Sequence, residues 1–421
     1  MSEWKKVKFL DLFSEPTKNG IYKSKEFHGR GAKIINMGEV FAYSFIGNQE
    51  MSRVEMNDKE RKSFIVKNGD LLFARRSLVE SGAGKCAIAN GITEETTFES
   101  SIIRVRLNEN NAIPLFYMYW MRSLSGRTAI NGIVNGVNVK GIRATDLQNI
   151  EVVLPPLPTQ KRIATILSRY DSLIENYQTQ IKLLEEAAQR LYKEWFVDLH
   201  FPGHENTKII DGVPEGWEKK KISDVCDTIG GGTPSTKVAS YYEGGTISWV
   251  TPTDITKNNS LCLLSTEKKI TNEGLNHSSA KMLPKEAILM TSRASVGYFG
   301  ICDFEVCTNQ GFISCVPFDK DFQMYLLYNL MNRVEEIRIK AGGSTYLEIS
   351  KSVFRNFDII CPAPSIIKEF QGKAHCLLER TRIMVKQIRL LTEARDRLLP
   401  KLMNGEIELE GGKRPERPTI S

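Results

Sequence analysis

One helical pattern occurs twice in this chain, and it constrains the fold more than any other feature. The stretch "IKLLEEAAQRL" (residues 181–191) is followed 207 positions later by "IRLLTEARDRL" (residues 388–398), with seven of eleven positions identical. Unrelated amphipathic helices resemble each other in composition, but they do not reach this level of identity. The chain therefore contains an internal repeat, and its two halves are expected to fold alike.

The repeat extends beyond the helix itself. "QNIEVVLPPLPTQKRI" (residues 148–163) aligns at the same offset with "RNFDIICPAPSIIKEF" (residues 355–370), and both are apolar strand-like runs interrupted by prolines before a helix. Near the start of each half, "EWKKVKFLDLF" (residues 3–13) resembles "GWEKKKISDVC" (residues 216–226) at an offset of 213. The two halves therefore correspond at their ends and diverge in between.

Both repeated helices carry apolar residues at alternating spacings of four and three, the pattern of a heptad a/d seam. The pattern predicts two long helices that pack on each other; the alternative is that each helix covers only its own domain. The second seam has polar residues at two of its positions, Thr381 and Arg395. The first seam comprises Ile163, Leu167, Tyr170, Ile174, Tyr177, Ile181, Leu184, Ala188, Leu191 and Trp195, and the second Phe370, Ala374, Leu377, Thr381, Met384, Ile388, Leu391, Arg395, Leu398 and Leu402.

These patterns predict an α+β fold with two strand-rich domains separated by two long helices packed as an antiparallel coiled coil, related by a pseudo-twofold repeat. The chain length of 421 residues exceeds one ordinary core and agrees with two domains. The predicted segments are a first domain (1–155), a central helix (156–197), a linker (198–214), a second domain (215–363), a C-terminal helix (364–404) and a tail (405–421).

Composition narrows the functional classes. No apolar run reaches the roughly 18 residues of a membrane span, and the first residues lack a signal-peptide core, so a cytoplasmic location is expected. The eight cysteines contain no CxxC, and "HFPGH" (residues 200–204) holds a proline and a glycine that would break a helical metal pair, so neither a disulfide framework nor a metal site is expected. The net charge of +7 permits a polyanionic partner without demanding one.

Sequence motifs of catalysis are weak in this chain. "SGAGKC" (residues 81–86) resembles a phosphate-binding loop, but Val79 stands at its first glycine position and Cys86 at the position of the magnesium-binding hydroxyl. "GGGT" (residues 230–233) lacks the register of a dinucleotide loop. We therefore expect no catalytic residues, and an enzyme is the third-ranked interpretation.

The divergent domains instead offer side chains suited to reading DNA. "FARRS" (residues 73–77) and "MTSRAS" (residues 290–295) occupy similar places in the two halves, each an apolar strand that ends in arginine with hydroxyl neighbours. Arginine can contact guanine O6 and N7 or a phosphate, and hydroxyls can bond either. The alternative is a surface turn whose arginine pairs with a carboxylate. The candidate DNA contacts are Arg75, Arg76, Ser77, Lys85, Lys140, Arg143, Thr233, Ser235, Lys237, Thr291, Ser292, Arg293, Ser295, Tyr298, Asn309, Gln310 and Tyr346.

The combination resembles the specificity subunit of type I restriction-modification systems. Residues 154–196 are similar to the central conserved helix of that family, and "LTEARDRLLPKLMNGEI" (residues 391–407) to its C-terminal helix. "VPEGWEKKKISDV", "GGGTPST", "WVTPTDI" and "TNQGF" resemble parts of a target recognition domain, whereas the first half departs from the "GGGTPST" pattern. The likeness covers nearly the whole chain.

The resemblance implies a non-catalytic subunit that binds double-stranded DNA and two methyltransferase subunits, joined by motor-nuclease subunits in the full complex. S-adenosylmethionine, ATP and magnesium would then belong to those partners, and the chain would have no cofactor of its own. Two different domains on one spacer can read a bipartite, asymmetric target whose gap follows helix length. The competing interpretation is a coiled-coil interaction scaffold that carries two protein-binding domains.

Overall fold

The structure is a computed structural model that describes residues 4–342 and 347–407. It divides into two compact units: the first contains residues 1–172 and 391–421, and the second residues 173–390. Each long helix therefore contributes one part to each unit. The candidate Tyr346 and most of the predicted tail lie outside the described residues.

The first half of the chain contains twelve short strands, which precede the first long helix. They are β1 (Lys5–Lys8), β2 (Lys18–Asn19), β3 (His28–Ile35), β4 (Phe45–Ile46), β5 (Arg53–Val54), β6 (Leu71–Ala74), β7 (Arg76–Ser77), β8 (Cys86–Ala89), β9 (Thr96–Phe98), β10 (Ile102–Val105), β11 (Lys140–Gly141) and β12 (Glu151–Leu154). The helices are α1 (Met37–Ala42), α2 (Asp58–Phe64), α3 (Pro114–Arg122), α4 (Leu124–Asn131), α5 (Ala144–Asn149) and α6 (Leu157–Tyr192). A π turn (Lys193–Val197) follows α6, and 3-10 turns span Phe9–Leu12, Lys25–Phe27 and Glu80–Gly82.

The second half follows a similar order. Its strands are β13 (Ile209–Ile210), β14 (Val213–Pro214), β15 (Glu218–Lys221), β16 (Cys226–Gly230), β17 (Ile247–Val250), β18 (Cys262–Leu263), β19 (Lys268–Ile270), β20 (Ile288–Thr291), β21 (Phe299–Cys302), β22 (Cys307–Thr308), β23 (Phe312–Pro317) and β24 (Asp358–Cys361). Its helices are α7 (Ile222–Val225), α8 (Pro252–Thr256), α9 (Asn272–Asn276), α10 (Gln323–Asn332), α11 (Val334–Lys340), α12 (Lys351–Arg355) and α13 (Pro364–Met403). Short 3-10 turns span His204–Asn206, Ala239–Tyr241 and Lys320–Phe322.

The two units share the topology of their two larger sheets. A five-stranded sheet has the order β2-β10-β6-β8-β4 in the first unit and β16-β23-β20-β21-β18 in the second, each with one parallel pair at its edge. A three-stranded sheet also recurs, as β5-β3-β9 and β19-β17-β22. The central strands β6 and β20 are buried along their whole length, as expected for continuous apolar runs covered on both faces.

The ends of each domain are closed by the segments that repeat in sequence. β1 pairs with β12 from Lys5 opposite Leu154, and β15 pairs with β24 from Glu218 opposite Cys361. Lys5 and its equivalent Glu218 are 213 positions apart, and Leu154 and its equivalent Cys361 are 207 positions apart. These are the two offsets seen in the sequence. The predicted repeat is therefore also a structural repeat.

The two long helices, α6 of 36 residues and α13 of 40, each pack on both domains. Ile163 and Leu167 of α6 join the core of the first domain together with Leu402 of α13. In the second unit, Trp195, just beyond α6, lies 6.0 Å from the ring of Phe370 near the start of α13. In each unit the start of one long helix lies beside the end of the other, as in an antiparallel pair, which confirms the predicted fold class. The alternative that each helix covers only its own domain is wrong.

The seam residues lie on the inner faces of these helices. Ile163, Leu167, Ile174 and Ile181 are buried, as are Phe370, Ala374 and Leu402. The other seam residues are half-buried, apart from Ala188, Trp195 and Thr381, which are also buried. Nowhere in residues 4–342 or 347–407 does a helix have both the length and the apolarity that a membrane crossing requires.

Glutamine side chains fix the start of each long helix. Gln160 is fully buried, donates to the carbonyl of Pro155 at 2.8 Å and accepts the backbone N–H of Ile113 at 2.8 Å. In the second unit Gln371 accepts the backbone N–H of Met324 at 2.9 Å. Each glutamine thus links the first turns of a long helix to the helix of its own domain that packs beside it.

Candidate nucleic-acid interface

The first candidate groove lies at the end of β6, where the chain leaves the five-stranded sheet. The backbone N–H of Arg75 donates to Ser101 O at 2.9 Å, and its carbonyl accepts from Ile142 N at 3.0 Å. The next residue, Arg76, pairs with Gly141 across β7 and β11. These bonds form a groove of about 360 Å³ lined by Arg75, Arg76, Asn135, Gly136, Val139, Lys140, Gly141, Ile142 and Arg143.

The second candidate groove lies at the equivalent place in the second unit, at the end of β20. Here Ser292 N donates to Gly311 O at 2.7 Å, and Ser292 O accepts from Ile349 N at 3.0 Å. Arg293 and Glu348 form a β-bridge where β7 and β11 pair in the first unit. The groove has a volume of about 730 Å³, and its lining includes Thr228, Ser279, Lys281, Ser292, Gln310, Glu348, Ser350, Lys351 and Arg355.

The same backbone bonds thus hold different side chains in the two grooves. Arg75 in the first domain corresponds to Ser292 in the second, because each bonds backbone to backbone with the isoleucine 207 positions apart, Ile142 or Ile349. By the same offset, Arg143 corresponds to Ser350, whose hydroxyl accepts from Val353 N at 3.3 Å and caps α12. The scaffold is shared, whereas the chemistry that it presents is not.

A second pair of equivalent contacts shows the same substitution. Gln148 donates to the Thr17 hydroxyl at 2.8 Å in the first domain. Arg355, which is 207 positions later, donates from Nε to the Thr228 hydroxyl at 2.5 Å and from Nη2 to the Thr228 carbonyl at 3.2 Å. The second groove therefore contains an oriented guanidinium, whereas the equivalent contact in the first domain is made by an amide that does not line the first groove.

The electrostatics of the two grooves also differ. In the first groove, Arg76 and Arg143 are exposed and Arg75 and Lys140 are half-exposed. Among residues 4–342 and 347–407, no side-chain hydrogen bond or ion pair engages these four cations. Glu348, which lines the second groove, lies 3.5 Å from Arg293 beside the groove, and both side chains are about half exposed. The first groove is therefore a concentration of unpaired positive charge, and the second a mixture of both signs.

Two of the candidates at the strand end of the second domain point inward. Thr291 is fully buried; its hydroxyl accepts from Tyr298 N at 2.9 Å and donates to the carbonyl of Ser295. Ser292 is also buried, although it borders the groove. Thr291 therefore shapes the loop that carries the exposed Tyr298, and we correct its assignment from DNA contact to loop support.

The prediction that Lys85 of the first domain contacts DNA is also corrected by the structure. Its ammonium donates to the carbonyl of Phe41 at 2.5 Å, and its burial lowers the pKa of the amine below the ordinary value. The neighbouring candidate Ser77 is half-exposed and its hydroxyl accepts from Val79 N at 3.1 Å. Lys85 is thus committed to packing, which the phosphate-loop resemblance of its segment did not indicate.

The glycine-rich segment of the second domain brings several candidates together. A side chain at Gly231 would place its Cβ 2.2 Å from Asn309 O, so only glycine permits this approach of the two strands. Thr233 then donates to the side chain of Gln310, and Asn309 accepts from Gly311 N at 2.9 Å. Ser235 and Lys237 follow on the same exposed loop.

The structure adds groove residues that the sequence did not indicate, among them Glu348, Ser350, Lys351 and Arg355. The repeat contained a signal for Ser350, which lies 207 positions after the candidate Arg143. Among the described ranges 4–342 and 347–407, no group of three or more His, Cys, Asp or Glu residues could hold a metal ion.

Comparisons with known proteins agree with this arrangement. The family model described as type I restriction modification DNA specificity domain matches residues 1–186 and 214–373. The MjaIX specificity subunit of a type I restriction enzyme from Methanocaldococcus jannaschii is 27% identical over 92% of this chain and 89% of its own length. The HindI specificity subunit from Haemophilus influenzae is 25% identical over 97% of this chain and 100% of its own.

Among solved structures, the fold is similar to the S subunit of a type I restriction-modification system from M. genitalium, with a TM-score of 0.59. The likeness covers 95% of this chain and 96% of that one at 15% identity. The two family matches coincide with the two halves of the structural repeat. The chain therefore belongs to the family of type I restriction-modification DNA specificity domains, as a specificity subunit that carries two copies of the domain.

Proposed function

We propose that this chain reads a bipartite, asymmetric sequence in double-stranded DNA, with one half-site bound by each domain. The observation that carries the proposal is the pair of equivalent grooves, built by the same backbone bonds and lined by different side chains. A symmetric reader would need the same side chains in both grooves. Two different linings instead predict two different half-sites.

The chemistry of each groove supports a different kind of contact. In the first, the unpaired guanidinium groups of Arg75, Arg76 and Arg143 suit guanine O6 and N7 or phosphate oxygens. In the second, Glu348 offers an acceptor suited to the amine of cytosine, beside the oriented guanidinium of Arg355. DNA binding by a groove whose lining has both charge signs should depend more on the base edges that it meets than on the charge of the phosphates.

The two long helices are proposed to set the gap between the half-sites. A helix of 36 residues is about 54 Å long at 1.5 Å per residue, which exceeds one DNA turn of about 34 Å. The faces of α6 and α13 that are not packed on the domains, together with their flanks, would dock two methyltransferase subunits. The repeat supports this, because it presents two nearly equivalent surfaces in one chain.

In this proposal the chain performs no catalysis. S-adenosylmethionine, ATP and magnesium would be bound by the methyltransferase and motor-nuclease subunits, and the chain would supply only the address on DNA. The full complex would methylate or cleave according to the sequence that the two grooves select.

Binding to duplex DNA tests the proposal against the scaffold interpretation. The full chain, assembled with its methyltransferase, is expected to select one sequence from a random duplex pool and to bind it less tightly as salt increases. Phosphate contacts release counterions, so log K should fall linearly with log salt concentration, whereas docking of proteins has no such obligatory dependence. A complex that enriches no sequence, or whose DNA binding is indifferent to salt, would favour the scaffold.

A further inference from the structure

Four apolar side chains stand out in solvent beside the first groove. Leu78 is 84% exposed, Val79 60%, Val137 90% and Val139 49%. They lie on the two chain segments that meet at the β7–β11 pair. Contiguous apolar groups on a protein surface commonly mark a binding site. We call this set the ribbon tip.

The main chain holds the ribbon tip in place. Arg76 pairs with Gly141 and Ser77 with Lys140, so Leu78 and Val139 continue from adjacent paired residues. On its other side Gly141 exchanges two backbone hydrogen bonds with Asn135, of 2.9 and 2.8 Å. Val137 therefore lies on a hairpin turn whose base is closed by hydrogen bonds.

One glycine enforces this hairpin. Gly136 has φ +105°, and a Cβ there would lie 2.2 Å from Val139 O. A residue with a side chain could not adopt this backbone without strain. The turn is thus specified by the sequence, and the backbone conformation exposes Val137 and Val139 to solvent.

The charges around the ribbon tip indicate what covers it. Arg75, Arg76, Lys140 and Arg143 line the same groove as Val139 of the ribbon tip, and Glu80 is the one carboxylate in the segments 75–80 and 135–143. An apolar tip bordered by unpaired cations is complementary to a DNA groove, where base edges lie between two rows of phosphates. A protein partner with an apolar patch would leave those cations without counterparts.

We infer that the β7–β11 ribbon enters the major groove of the first half-site and places Leu78 and Val137 against thymine methyl groups. This inference rests on the proposed function and names the element and the base feature involved. The major groove is about 12 Å wide and admits a two-stranded ribbon, whereas the minor groove is about 6 Å wide. Only the major groove presents the thymine methyl, to which apolar side chains pack.

The inference applies to the first domain alone. At the equivalent place in the second domain, Arg293 is paired with Glu348 across the bridge. That carboxylate would face base edges or phosphates where the first domain has Gly141. The second half-site therefore serves as an internal control.

The test removes the methyl groups from the DNA. The chain assembled with its methyltransferase is titrated with its selected target, and with targets in which each thymine of one half-site is replaced by uracil. For the wild type, uracil in the first half-site should weaken binding about fourfold for each contacted methyl, the value for one buried carbon. Uracil in the second half-site should change binding by the same factor in the wild type and in variants of the ribbon tip.

Variants then assign the effect to the ribbon tip. Leu78→Ser and Val137→Ser should bind the thymine target more weakly than the wild type and should respond less to uracil in the first half-site. Leu124→Ser is the matched control, because Leu124 is 78% exposed in the same unit but belongs to α4 and does not line the first groove. It should behave as the wild type, and unfolding temperatures of all variants should agree because these side chains are exposed.

The outcomes separate the two proposals. Selective binding with no uracil effect, an equal uracil effect in all variants, or a first half-site without an A·T pair would overturn the ribbon inference and leave the reader function intact. Failure of the wild type to select any target would overturn the proposed function, and the inference with it.

Discussion

Arg395 provides the sharpest test of how α13 is fixed to the first domain. It stands at a seam position and forms an ion pair with Asp171 of α6, and Asp171 also accepts from the Tyr119 hydroxyl of α3 at 2.5 Å. The side chains of Arg395 and Asp171 are 15% and 10% exposed. Burial by itself would lower the pKa of Arg395, but its bonds to Asp171 and Asp396 raise it above the ordinary value. Arg395 therefore stays charged at every physiological pH.

The magnitude follows from that burial. Removing one partner of a buried pair costs about 3–5 kcal/mol, because the other charge is left uncompensated. Since both side chains keep slight contact with water, we expect Arg395→Ala to lie at the lower end, at about 3 kcal/mol. Replacing all three groups, with Arg395→Leu, Asp171→Leu and Tyr119→Phe, should return the stability to within about 1 kcal/mol of the wild type, because an apolar cluster needs no counter-charge.

Hydrogen exchange resolved by segment is the appropriate assay, since it measures the opening free energy of residues 164–172 and 391–403 separately from the second unit. Lys386→Met is the matched control, because Lys386 of α13 pairs with Asp303 at 2.7 Å but the two side chains are 49% and 31% exposed. That exposed pair should contribute less than about 1 kcal/mol. A loss in Arg395→Ala no larger than in the control, or a triple variant as unstable as the single one, would show that the buried Arg395–Asp171 pair does not fix α13 to the first domain.

Two further predictions concern the second unit and the helices. Burial raises the pKa of Glu185 above its ordinary value of 4.5, although it accepts from Leu261 N at 2.8 Å and Ser260 Oγ at 2.9 Å. The folded carboxyl thus binds its proton more tightly than the unfolded one, so the free energy of unfolding falls as pH rises from the unfolded pKa through the folded pKa of Glu185. Glu185→Gln should therefore unfold at a higher temperature than the wild type at pH 7.5 but not below pH 4. An equal difference in unfolding temperature at both pH values would contradict this. Adding seven residues to both long helices, at 172/173 and 390/391, preserves the seam and lengthens each helix by about 10 Å. The selected target should then gain about three unread base pairs between its half-sites. An unchanged gap would exclude the helices as the spacer.

The placement of the insertion shows how the structure refines a sequence expectation. From the seam alone, a four-residue insertion near Ala187 would lengthen the helix by about 6 Å, or nearly two base pairs. The structure places Ala187 beside Ala188, which is buried in the core of the second unit, and near Glu185, which bonds the chain at Ser260. An insertion there would displace these contacts as well as the spacing, so the junction between the two units is the better position.

The repeat determined most of the fold that could be predicted. The segments that match at offsets of 207 and 213 form the paired strands and the antiparallel helices. The helices could be predicted because their apolar periodicity is visible in the local sequence. The sheet order could not be predicted in this way, because β6 pairs with β10 and β8 through contacts that no local pattern specifies. Arg395 likewise interrupts the apolar seam in sequence, and only the position of Asp171 explains it.

The grooves were predictable in their location but not in their composition. An apolar strand that ends in arginine identified both strand ends, and the first groove contains four of the five cations chosen from sequence in the first domain. Thr291 and Lys85 were assigned wrongly because composition does not reveal which way a side chain points; both bond to backbone carbonyls. Arg355 was not selected because its partner, Thr228, is 127 positions away in sequence.

The most direct test of the central claim is methylome sequencing of cells that carry this chain with its methyltransferase, compared with chains in which residues 1–150 or 215–360 are exchanged for those of a related specificity subunit. We expect one bipartite methylated motif, of which each exchange changes one half and leaves the other half unchanged. A motif that changes in both halves with either exchange, or no methylated motif at all, would contradict the assignment of one half-site to each domain.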